Sequence, residues 1–187
     1  MTVHGAYRGI LRDDLGWLNS AGRPNVFYRA NLPRIGLADL AALTTQVMTS
    51  VPLWLEEGDL ITNLTTISGG TAADTPTNWW YALYSSAATP GLLAQTADQT
   101  TTAWAADTVK TLALAAPYRV PVSGLYWAGI HVKATAVPTL IGALGAKPVL
   151  PGEPNLAVSS GSGLTTTAPA TIATPAFKRM VPLIIAT

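Results

Sequence analysis

Cysteine is absent from the 187-residue sequence. That excludes disulfides and thiolate metal sites, and redox chemistry gives no reading of the compartment. Charge is nearly as scarce. Asp, Glu, Lys and Arg make up 11% of the residues, against about 25% in typical domains. The net charge of +1 leaves no electrostatic footprint for nucleic acid. No run of about 18 apolar residues is present, which argues against insertion into a membrane. A basic stretch leading into an apolar segment is missing from the N-terminus. No secretory signal is read there, and the expectation is a chain that starts near Met1 in a bacterial host cytoplasm.

Groups that do chemistry are also few. The two histidines are His4 and His131. His131 lies within an alternating strand beside Lys133, where a surface or interface role is expected. No serine sits in a G-x-S-x-G turn. Glu56 and Glu57 are adjacent and cannot share one face of a strand, a poor arrangement for a glycosidase pair. Asp13, Asp14, Asp59 and Asp74 fit no spaced ligand set. Gly69-Gly70 is not followed by the Lys-Ser/Thr of a phosphate loop. The expectation is a non-enzymatic protein with no cofactor and no metal.

What the chain does contain is apolar residues, at 49%, together with abundant threonine, serine, glycine and proline. A surface this poor in ions is solvated by neutral polar side chains, buried against neighbouring subunits, or both. A chain of this length buries roughly 70% of its unfolded surface, so it needs no metal to hold together.

Turn residues divide the sequence. Residues 1–45 are broken by Gly5, Gly9, Gly16, Gly22, Pro24 and Pro33 and carry five arginines: Arg8, Arg12, Arg23, Arg29 and Arg34. Apolar anchors such as Trp17, Phe27 and Tyr28 sit between them. This texture predicts an extended, irregular attachment arm, with Arg8, Arg12, Trp17, Arg23, Phe27, Tyr28 and Arg29 as its contact residues; a leading loop and edge strand of the same domain is the alternative. Within it, residues 36–47 (GLADLAALTTQV) place Leu37, Leu40, Ala41, Thr44 and Val47 on one helical face and make the one plausible helix, or lead straight into a strand.

Residues 46–187 predict the folded domain. Strand signals cover 48–55, 60–68, 78–86, 92–96, 109–115 and 124–133, with weaker ones at 139–143 and 180–186. Residues 124–133 (GLYWAGIHVK) alternate, with Tyr126, Ala128, Ile130 and Val132 reading as core and the intervening set facing a sheet edge, a neighbour or solvent. About eight short strands without long helices point to an all-β antiparallel β-sandwich, compatible with a jelly roll. Residues 147–175 form a Pro/Gly/Ser-rich tract that reads as a long flexible loop or linker. The apolar tail Val181–Ile185 after it is expected to return to the sandwich as a strand or to dock on a neighbouring subunit.

Aromatic residues crowd one predicted strand. Trp79 and Tyr81 point to one face, Trp80 and Tyr84 to the other, so one pair lies outside the main core. Together with Trp127 they are candidates either for an exposed glycan platform or for burial at a sheet or subunit interface.

The stretch from Glu57 to Val132 carries the phrases GDLITNL, TPTNWWYALYSS, LLAQTADQTTTAW, VKTLAL and GLYWAGI, over about 40% of the chain. In their texture and order these resemble a β-sandwich module of virion proteins from phages that infect actinobacteria. The resemblance implies a structural component of the particle: a capsid decoration or head fibre, or a minor tail protein or tail fibre. It implies partners among other virion proteins and copies of the chain itself, with trimers favoured, and carries no catalytic residues. The modules it resembles lie near the C-terminus of longer proteins, whereas only about 45 residues precede this one. A carbohydrate-binding module for host surface glycans is the alternative function.

Overall fold

The computed structural model describes residues 28–187. Every regular element among them is a strand, and every pairing is antiparallel. The protein is an all-β sandwich.

Residues 48–55 (MTSVPLWL) show how the sequence dictates the layers. Val51, Leu53 and Leu55 alternate inward as strand β3 (Met48–Leu55) and are fully buried. It pairs along seven residues with β8 (Gly124–Lys133), Thr49 facing Ile130 and Leu55 facing Gly124. β8 pairs in turn with β5 (Asn78–Tyr84), and β5 with β6 (Leu92–Gln95). On the other flank of β3 come β10 (Val158–Ser160) and β11 (Ala176–Phe177), completing a six-stranded sheet.

A four-stranded sheet faces it. β4 (Leu60–Ile67) lies at its centre, between the edge strand β7 (Val109–Arg119) and the two-residue β13 (Ile185–Ala186), and β1 (Arg29–Ala30) pairs with the outer side of β13. β4 and β7 lose register between Ile61 and Asn63: Ile61 faces Tyr118, yet Asn63 faces Ala113. Leu114, in the part of β7 that this shift leaves unpaired with β4, bridges instead to Thr96 beside β6, linking the two sheets at that corner. A three-stranded sheet of β12 (Met180–Pro182), β9 (Ile141–Leu144) and β2 (Ala38–Asp39) completes the fold.

The main core lies between the large sheets. Val51, Leu53, Trp79, Tyr81, Tyr126 and Ile130 meet Ile61, Leu64 and Leu114 there. Trp104, arriving from a polar loop, packs on Trp79 with ring centroids 4.5 Å apart. One polar link crosses the core, between the Thr66 hydroxyl and the Tyr81 phenol at 3.0 Å. Burial pushes the Tyr81 ionisation well above the ordinary tyrosine value, so the phenol stays neutral.

Two sequence expectations are corrected here. Residues 36–47 hold no helix. Gly36 takes a left-handed φ of 72°, Ala38 and Asp39 pair with β9, and Leu40 and Leu43 are buried. The apolar spacing that suggested a helical face belongs to a strand followed by a turn. The described part of the expected arm, from Tyr28 onward, packs on its own domain, as the alternative reading had it. β1 is a strand of the four-stranded sheet, and Arg29 forks onto Asp59 (Nε to Oδ2 2.7 Å, Nη2 to Oδ1 2.9 Å) and reaches Glu56 at 2.9 Å. Arg8, Arg12, Trp17, Arg23 and Phe27 lie outside the described residues, as does His4.

Gly142 in β9 is required by close approach. It pairs with Pro182 on one side and Ala38 on the other. A methyl group there would strike the Val181 carbonyl and sit 2.8 Å from the Pro182 Cα and 2.6 Å from Leu40 Cδ1. Two of those neighbours are backbone and cannot rotate away. Gly142→Ala is expected to lower stability by about 2–3 kcal/mol in urea denaturation.

Candidate functional site: a cleft on the outer sheet face

β5 is buried on both faces, and its two aromatic pairs part as their parity dictates. Trp79 and Tyr81 enter the main core. Trp80 and Tyr84 face outward, where the six-stranded sheet would meet solvent were it not for residues 161–175.

That segment forms a strap across the outer face, and the outward side chains are its anchors. The Trp80 indole donates to the Thr165 carbonyl at 2.7 Å. The Tyr84 hydroxyl donates to the Pro169 carbonyl at 2.9 Å. His131 pairs through Nε2 with the Leu164 carbonyl at 3.1 Å and stacks on Trp80 with centroids 4.6 Å apart. The Gln95 side chain takes the Ala168 amide at 2.7 Å and gives its own N–H to the Thr166 carbonyl at 2.8 Å. Ala168, Ile172 and half-buried Leu164 press down on Met48, Trp80, Ala82 and Tyr84 to make a second, smaller core. Gly129 beneath them leaves room for Met48, whose Sδ would lie 2.6 Å from a Cβ at that position.

Of the 147–175 tract expected to be a flexible loop or linker, residues 158–160 are therefore strand and 161–175 a bound cover, while 147–154 stay exposed. Trp79, Trp80, Tyr81 and Tyr84 are all at most 1% exposed, so none of them offers a platform to a ligand. His131, expected at a surface or interface, has no exposure. Burial holds its imidazole far below the ordinary value, at about 4, despite the Leu164 carbonyl and Asp98, which act the other way.

The strap covers only part of the sheet. On the same face, cross-strand pairing sets Pro52 opposite Trp127 and Trp54 opposite Leu125. Here Trp127 and Leu125 are half-buried, and Trp54 is 56% exposed. Trp54 and Trp127 are diagonal neighbours, a separation of about 7–8 Å between backbones that long aromatic side chains span.

Beside them a cleft of about 750 Å³ opens between the sheet, the 86–90 turn, the 152–155 turn and the end of the strap. Trp127 and Leu125 line it, and Ser86, Glu153, Asn155 and Thr174 bring polar groups to it. The Glu153 carboxylate accepts the amides of Leu150 and Val149 at 3.1 and 2.8 Å through Oε2 alone. Those bonds lower its proton affinity below the usual carboxylate value, so the cleft carries a negative group. Among the described residues, no Lys or Arg lines it.

Sequence reasoning named Trp127 and missed Trp54. The signal was present: Val51, Leu53 and Leu55 alternate inward, which leaves Trp54 on the opposite face.

Nothing in the described geometry resembles a catalytic constellation. Among the described residues no three His, Asp or Glu side chains gather as a metal site would require. Asp59 is engaged by Arg29, and Asp74 accepts a hydrogen bond from the Thr75 hydroxyl. No family model matches the chain, and no curated protein matches it in sequence.

Proposed function

We propose that the chain is a non-enzymatic structural protein of a bacteriophage virion. It is a β-sandwich displayed on the particle as a capsid decoration or head fibre, or as part of a minor tail protein or tail fibre. It assembles with copies of itself, trimers being favoured, and contacts other virion proteins through residues ahead of the sandwich, among them Arg8, Arg12 and Arg23.

The observation that carries this reading is an apolar end on a charge-poor domain. Leu144, Val149, Leu150 and Leu156 are 62%, 85%, 63% and 48% exposed, and they lie in and after β9 along one short stretch of chain. Scattered surface leucines need no explanation, but four exposed apolar side chains within residues 144–156, with Lys147 and Glu153 interspersed, fit a subunit contact with an apolar centre and a charged rim. The phrases between Glu57 and Val132 that resemble actinobacteriophage virion modules support the reading from the sequence side.

The test has two parts. Mass spectrometry of purified virions, with antibody labelling to locate the chain, should find it on the particle. Sedimentation should give a trimer for the protein and a folded monomer for the Val149→Asp, Leu150→Asp double variant, with the sandwich retained by circular dichroism and a Tm lowered only by the lost association. A wild-type chain that stays monomeric and never joins particles would overturn the proposal.

A further inference from the structure

We infer that the cleft beside Trp127 is a binding site for a neutral saccharide, with Trp54 extending it along the sheet. The inference rests on the cleft and on Trp54 beside it, and does not require the virion reading, though Glu153 and Asn155 adjoin the stretch assigned above to subunit contact.

Three observations carry it. First, two indoles lie on one face of a rigid sheet at diagonal positions, one half-buried and one largely exposed. The C–H faces of pyranose rings pack on indole, and two platforms at this separation suit two neighbouring sugar units better than one small apolar molecule. Second, the polar groups sit at the side of the cleft and not on its floor. Glu153 uses only Oε2 within the protein, which leaves Oε1 as an ionised acceptor for a hydroxyl, and Asn155 supplies both a donor and an acceptor. Third, among the described residues the lining has one carboxylate and no cation. Such a site repels uronates, sialic acids and phosphorylated sugars and leaves neutral hexoses and N-acetylhexosamines as its ligands.

Pre-organisation favours the site. The floor is central strand, and the strap that forms one wall is tied down at Pro169, Ala170 and Ile172, the last two by bonds of 2.8 and 2.9 Å to Leu92 and Pro90. Binding therefore orders little of the protein.

The experiment is saturation-transfer NMR and calorimetry on the full chain. The probes are mannose, galactose and N-acetylglucosamine oligosaccharides, with sialyl and uronate oligosaccharides as the charged set. Binding to at least one neutral oligosaccharide is expected, with none to the charged set. Trp127→Ala should weaken it by about tenfold or more, and Trp54→Ala and Glu153→Gln by roughly three- to tenfold. Trp54 and Glu153 are exposed, so their variants keep the fold even if Trp127→Ala does not. Absence of any signal overturns the inference. So does binding that survives both Trp54→Ala and Glu153→Gln, and so does self-association that Trp54→Ala abolishes, which would assign the face to a second copy of the chain.

Discussion

Trp80→Ala is expected to cost about 3–5 kcal/mol of stability, the range for removing a fully buried tryptophan, and to free the strap from the sheet. The indole fills the centre of the outer core, supports the His131 ring and holds the Thr165 carbonyl. Its loss opens a cavity and unties the cover at once. Urea denaturation gives the first effect, and limited proteolysis mapped by mass spectrometry gives the second, as new cleavage within 161–175. Trp80→Phe keeps a ring against His131 but loses the N–H, and should cost about 1 kcal/mol beyond the lost ring area. A Trp80→Ala protein that is destabilised yet keeps its strap protected would show that the remaining anchors suffice.

The second large effect is on pH. The unfolded His131 takes up a proton near 6.5, whereas the folded imidazole does so only near 4. Between those values the unfolded chain binds more protons, so stability falls as pH drops from 6.5 towards 4 and is full above 6.5. The total loss is up to about 3 kcal/mol. Protonation has little to gain inside: among the described residues Nδ1 has no hydrogen-bond partner, Lys133 opposes the charge, and Asp98 and the Leu164 carbonyl favour it without offsetting burial. His131→Phe should lower stability above pH 6.5, where the bond to the Leu164 carbonyl is lost, and flatten the slope below it, so that its deficit shrinks as pH falls towards 4. Equal slopes for the two proteins would show that this histidine is not the group responsible.

The strands were legible where burial on one face wrote a period of two. Residues 48–55 and 124–133 are strands over those very spans because their inner residues meet the main core and their outer ones differ in kind. Residues 60–67 are harder: the irregular pairing with β7 puts both Ile61 and Leu64 inward, so no single alternation describes them. Residues 36–47 left helix and strand open because Leu37, Leu40, Ala41, Thr44 and Val47 fit one helical face, yet of these only Leu40 is buried, and Leu43 off that face is buried with it. What decides is Ile141, which pairs with Asp39 from a distant part of the chain.

The strap was illegible for a different reason. It is held chiefly through its own carbonyls, at Leu164, Thr165, Thr166 and Pro169. Every residue type has a carbonyl, so a Ser/Gly/Thr/Pro tract that is bound this way has the composition of one that is free. The same cover hid the fate of Trp80 and Tyr84. Parity required one of the two pairs to lie off the main core without saying which, and nothing local told whether the outer face was wet. Only the stretch the strap misses, at Trp54, Leu125 and Trp127, stays open.

The place of β13 bears on how the chain reaches this state. Ile185 pairs with Thr65, and Ala186 with Arg29, so two residues near one end bridge strands from near the other. Until residues 185 and 186 exist, β4 has a bare hydrogen-bonding edge and β1 has nothing to join. Loop closure over such separations is slow, and ribosome-bound chains would present that edge until residues 185 and 186 emerge. The four-stranded sheet therefore closes only after nearly all of the sandwich has been made. Crowded copies are liable to pair through β4 before their own tails arrive, a hazard that rises with expression rate.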